Sequence, residues 1–151
     1  MYLEPVYYPW SSTDGKSLIG EKIIEIRMGQ YLLVFTTESG KRIGFAVEGD
    51  CCSHSYFYDF VGADKLFLNG PVTEFNEVSL GEDEYYDGEY IQVYGYEIVT
   101  EHPVWGEQTS VFSFRNASNG YYGGWMVEVK IPEDADFSEL PLVTGEHYEV
   151  R

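Results

Sequence analysis

Apolar and polar positions alternate with a period of two over much of the chain, the signature of β-strands with one buried face. In "EKIIEIRM", Ile24, Ile26 and Met28 share one side and Glu25 and Arg27 the other, and the Gly29-Gln30 pair that follows suits a tight hairpin. "YLLVFTT" is apolar on both faces and reads as a central strand; after "ESG", Ile43, Phe45 and Val47 of "KRIGFAVE" alternate again. Residues 18–48 are therefore expected to form a three-stranded meander. The period then changes. From "GDCCSHSYFYDFVG", residues 49–62, into the residues just after it, Phe57, Phe60, Val61 and Asp64 fall at i, i+3, i+4 and i+7, with Ser53 or Ser55 placed to cap, which predicts a short helix.

"PVTEFNEVSL", residues 71–80, reads as a strand started by Pro71, and "GEDEYYDGE" as a loop. "EYIQVYGYEIVTE", "QTSVFSFR" and "YYGGWMVEVKI", separated by the turn formers of "HPVWGE" and "NASNG", predict a second meander. Its last strand would set Trp125, Val127, Val129 and Ile131 on one side and Met126, Glu128 and Lys130 on the other, with one face buried. The expected fold is α+β: predominantly antiparallel sheet, two meanders with one short helix between them, in a single domain spanning 1–151. Residues 1–17 would be an N-terminal arm and 132–151 a tail, covering sheet edges.

Charge changes the picture more than hydropathy does. The 151 residues hold 26 acids against 9 bases, a formal net charge of −17. Residues 1–65 carry nine acids and six bases, whereas residues 66–114 carry ten acids and no Lys or Arg. Such a field repels nucleic acid and anionic membranes and attracts basic partners. No apolar run is long enough to span a bilayer, and Glu4 precedes any base in a start without an apolar stretch, so a cytoplasmic location is expected. The fourteen tyrosines include the doublets Tyr7-Tyr8, Tyr85-Tyr86 and Tyr121-Tyr122, each expected to expose one ring.

Candidate chemistry is thin. Asp50, Cys51, Cys52, His54 and Asp59 cluster in sequence, yet zinc wants a second ligand pair elsewhere, and adjacent cysteines converge on one ion only in an irregular turn. Cys51, Cys52 and Asp59 are therefore read as structural, the cysteines packing before the helix start, with no disulfide, metal or other cofactor. "TTESGKR" lacks the first glycine of a P-loop, and "DEYYDG" at 83–88 puts Tyr85 and Tyr94 where a calcium loop needs ligands. No enzyme activity is expected.

"LIGEKIIEI", "LVFTTESGKRIGFAVEGDCCSHSYFYDFVG", "GPVTEF", "SNGYY" and "MVEV", spread over residues 18–131, resemble a family of small uncharacterised proteins found largely in bacteriophages. The resemblance implies a phage setting and no catalysis. With the charge, it leads to the expectation of an acidic phage-encoded interaction protein, monomeric or weakly dimeric. It would mimic nucleic acid, bind a host nucleic-acid-binding protein, and so inhibit a host antiviral nuclease or CRISPR system. It would not bind nucleic acid or membrane itself. The expected contacts are the acids Glu82, Asp83, Glu84, Asp87, Glu89, Glu97, Glu101 and Glu107 and the aromatics Tyr85, Tyr86, Tyr121 and Tyr122. The alternatives are a phage accessory module that binds protein through its tyrosines without inhibiting anything, and a small-molecule or metal binder.

Overall fold

The structure, a computed structural model, describes residues 3–6, 13–81, 83–120 and 122–150. The first meander forms as its alternation predicts: β1 (Ile23–Met28), β2 (Leu32–Thr37) and β3 (Arg42–Gly49) pair antiparallel in sequence order. A bulge between Ile23 and Glu25 corrects one detail. It turns Ile24 out to solvent and puts Ile23 inside with Ile26 and Met28.

The helix expected from the Phe57-Phe60-Val61-Asp64 spacing is a strand, β4 (His54–Val61). Phe57 lies opposite Phe114 and Asp59 opposite Ser113, so Tyr58 is an extra, bulged residue. The bulge places two residues three apart on the same face, and Phe57 and Phe60 are both fully buried. Helical spacing thus arises without a helix. The one α-helix among the described residues, α1 (Ala63–Leu68), follows and sends Ala63 and Leu66 into the core. Lys22 Nζ donates to the carbonyls of Leu66, Phe67 and Asn69 at 3.1, 2.7 and 2.5 Å, closing its C-terminal end with a cation. At 53% strand and 6% helix the fold is essentially all-β, not α+β.

β5 (Glu74–Val78) lies within the expected strand, but "GEDEYYDGE" is not a loop throughout. β6 (Glu84–Tyr86) and the start of β7 (Glu89–His102) form a hairpin around Asp87 and Gly88, at φ 49° and 79°. Two positive φ values in a two-residue loop match the strand twist, and Asp-Gly is the pair that accepts them. β7 continues with β8 (Gly106–Ser118) as a long hairpin. The second meander ends there: β9 (Gly124–Val129) leaves β8 and pairs with β3 in the first sheet. Both faces of β9 are covered, Met126 by the core and Val127 and Val129 on the opposite side, so the one-buried-face expectation also fails.

The result is two antiparallel sheets, β1-β2-β3-β9 and β10-β4-β8-β7-β5, with β6 also on β7 and β10 (His147–Glu149) on β4. Their inner faces meet through aromatic rings. Phe35 of β2 lies 6.2 Å from Phe60 and 6.4 Å from Phe112, and Phe45 of β3 stacks on Phe75 at 6.1 Å. The outer strands of the first sheet are not bare. Val6 N and Lys130 N exchange bonds with Glu128 O and Glu4 O along β9, and Met28 N and Val143 N do so with Pro141 O and Ile26 O along β1. The arm and the tail thus cover both edges.

Candidate functional site

Residues directly opposed in an antiparallel pair share a face, so register decides where the acids go. Tyr94, Tyr96 and Ile98 of β7 point inward. Glu89, Glu97 and Glu101, at the alternate positions, point away from the core. Glu107 opposes Glu101, Glu74 opposes Val99, Glu84 opposes Ile91, and Glu149 opposes Asp59, which itself opposes the outward-facing Ser113. One face of the six-stranded sheet therefore gathers Asp59, Glu74, Glu84, Glu89, Glu97, Glu101, Glu107 and Glu149 from six strands. At its centre lie Val93, Val111 and Gly95. Leu80 folds over Gly95 so closely that a Cβ there would meet its Cδ1 at 2.5 Å.

The face has two electrostatic halves. Toward β4, Arg115 stacks its guanidinium 3.9 Å from the centre of the Tyr58 ring and lies 3.5 Å from Glu84. Tyr58 hydrogen-bonds Glu149, which raises the phenol's pKa. Asp59 accepts from Ser113 Oγ and lies 3.5 Å from His147 Nε2. Toward the β7–β8 turn, no ion pair among the described residues engages Glu74, Glu97, Glu101 or Glu107. Glu97 accepts from Asn76 Nδ2 at 3.3 Å. Glu101 and Glu107 face each other across the ladder, a repulsive arrangement in the absence of a partner.

Not every expected contact residue joins this surface. Asp83 is a staple inside the ribbon, accepting from Tyr90 Oη at 2.7 Å and Val93 N at 3.2 Å. Asp87 serves the hairpin turn. Tyr85 and Tyr86 are 74% and 73% exposed on β6. Tyr122 is half-buried, and its carbonyl accepts from Asn116 Nδ2 and Ser118 Oγ. Glu82 and Tyr121 lie outside the described residues, as does the Tyr7-Tyr8 doublet. Cys51 and Cys52 are exposed in the β3–β4 turn and pack under no helix, since none starts there. Sequence reasoning passed over Arg115, Tyr58, His147 and Glu149. Arg115 had a signal, as the only Lys or Arg between Lys65 and Lys130.

Ser113, Asp59 and His147 are neighbours, but the carboxylate stands between hydroxyl and imidazole, so the imidazole is not placed to take the serine proton. Among the described residues no three His, Cys, Asp or Glu side chains are grouped to hold a metal. A cleft of 780 Å³ at the β7–β8 turn is lined by Gly70, Pro71, Thr73, Glu101, His102 and Val104. His102 is committed to that turn: its Nδ1 accepts from Val104 N and Trp105 N, and its ring stacks on Trp105 at 4.4 Å. No helix among the described residues is long and apolar enough to cross a membrane. A family model, DUF7448, described as a domain of unknown function, matches residues 16–127. No curated protein and no solved structure matches the chain.

Proposed function

The chain belongs to the DUF7448 family, a domain of unknown function, and we propose from its surface that it is an acidic interaction protein that occupies the nucleic-acid-binding site of a basic partner. The observation that carries this reading is the outer face of the six-stranded sheet, where eight carboxylates from six strands surround a small apolar centre and those near the β7–β8 turn have no ion-pair partner among the described residues. Glu97 and Glu101, four positions apart on one strand, are separated by about 13 Å. Duplex phosphates supply one charge per about 1.7 Å of axis. The face would therefore imitate the sign and extent of a phosphate track and not its spacing. The bacteriophage resemblance supplies a setting in which such a partner is a host nuclease or CRISPR component.

The test is binding of a partner captured from host lysate, measured at low and high salt with and without duplex DNA. Screening makes charge-driven association fall with ionic strength, and DNA competes if the sites coincide. Charge reversal at Glu97, Glu101 and Glu107 should lower affinity at least tenfold. A partner that holds DNA and this protein together with neither affinity changed would falsify the mimic. A second reading, a protein-binding accessory module, is favoured by the exposed rings of Tyr85 and Tyr86. It predicts that Tyr85→Ala with Tyr86→Ala abolishes binding while the charge reversals spare it.

A further inference from the structure

Adjacent side chains point to opposite sides of extended chain, and on a helix they diverge by about 100°. Cys51 and Cys52 do neither. They occupy the β3–β4 turn, Cys52 at φ 72°, and their exposed sulfurs stand 3.1 Å apart. A non-glycine residue in the left-handed region is sparse and strained, and here it swings the two side chains together. The turn has a firm base. Asp50 N donates to Gly123 O and Gly123 N to Asp50 Oδ2, both at 3.0 Å, and Ser53 donates to Asp50 O through its amide at 3.1 Å and its hydroxyl at 2.7 Å.

Geometry narrows what this pair can hold. Consecutive Cα atoms lie about 3.8 Å apart, closer than the ~4.4–6.8 Å of ordinary disulfides, so direct closure is strained. One atom inserted between the sulfurs relieves that strain. Two bonds of about 2.3 Å, the length of a zinc–thiolate bond, span about 3.8 Å at a tetrahedral angle, about 4.6 Å in line and about 3.3 Å at a right angle. The observed 3.1 Å suits the right angle. Zinc also fails on ligand count, since no third ligating side chain joins the pair among the described residues. We propose that Cys51 and Cys52 form a site for a pyramidal, trivalent, thiophilic centre that needs two thiolates and brings its own third substituent, the chemistry of a monosubstituted arsenoxide.

Binding is a condensation. Two arsenic–oxygen bonds of the hydrated arsenoxide break and two arsenic–sulfur bonds form; the two thiol protons leave with the oxygens as water, and arsenic stays trivalent. The hydrogen bond to Cys51 raises the pKa of Cys52. One thiol attacks first, and the other brings its proton to the departing hydroxide as the ring closes. The inference is independent of the acidic face.

The experiment treats the reduced full chain with phenylarsine oxide and follows intact mass and free thiols. One equivalent should bind, with both thiols lost together. A linked second thiol acts at an effective concentration of millimolar or more, so the adduct should survive an excess of about 100-fold of a monothiol and be released by 2,3-dimercaptopropanol. Cys51→Ala and Cys52→Ala lie in an exposed turn, and each should keep the native circular dichroism and lose the monothiol-resistant adduct. Release of the wild-type adduct by monothiol, equal retention by either variant, or protein that carries a Cys51–Cys52 disulfide under reducing conditions would each overturn the proposal.

Discussion

Asn116 shows how much one residue can organise. It is fully buried in β8, donates to Gln92 Oε1 at 3.1 Å and Tyr122 O at 3.0 Å, and accepts from Ser55 Oγ at 2.8 Å. Asn116→Leu strands these partners and should cost about 2–3 kcal/mol in urea unfolding. Phe112, with rings of Phe57, Phe60, Phe75 and Tyr96 at 6.3, 5.6, 6.0 and 5.6 Å, is the hub of the core. Phe112→Ala should cost about 3–5 kcal/mol by the same measurement. The exposed cysteines are the contrast: Cys51→Ser and Cys52→Ser should each change stability by no more than about 0.5 kcal/mol. Burial raises the Tyr96 phenol from its ordinary 10.0 to about 12. A pKa raised on folding means that the stabilisation is complete below pH 10 and is lost as the pH rises to about 12. Urea unfolding of the wild type should weaken across that window more than that of Tyr96→Phe.

At the scale of elements, the sequence was legible where alternation was uninterrupted and misleading where a bulge broke it. β2 and β3 follow from their apolar pattern alone. β4 did not, because the extra residue at Tyr58 turns a period of two into the i, i+3 spacing of a helix, and only pairing with β8 reveals the difference. β6 was missed for a different reason: acidic density suggested a solvated loop, although Asp87-Gly88 is a strong hairpin signal. The crossing of β9 to the other sheet had no local signature, since its pairing with β3 is set by tertiary packing. The acidic surface was half legible. Equal parity on one strand unites Glu89, Glu97 and Glu101, but the contribution of β4 and β10 depends on register that the sequence does not state. Lys22, reaching the end of α1, makes a further prediction. Lys22→Met leaves three carbonyls without their cation and should destabilise by about 1–3 kcal/mol, read by thermal melting.

For the whole molecule, the arm and the tail are structural members as much as ends. Removing residues 132–151 deletes β10 and uncovers β1, so the truncated chain should aggregate; a soluble, folded truncation would make the tail a tether. The same connectivity has a consequence for biosynthesis. A ribosome delivers β1, β2 and β3 first, yet the strand that completes β3 starts at Gly124 and the segment that covers β1 reaches it at Pro141. Until then the nascent meander presents two unfinished borders, and Gly44 waits for Val129. Pairings this distant along the chain form slowly. The first sheet is therefore completed only after Gly124 and Pro141 have been made, and crowding of nascent chains on one message is a condition under which its open borders are exposed to pairing with the wrong copy of the chain.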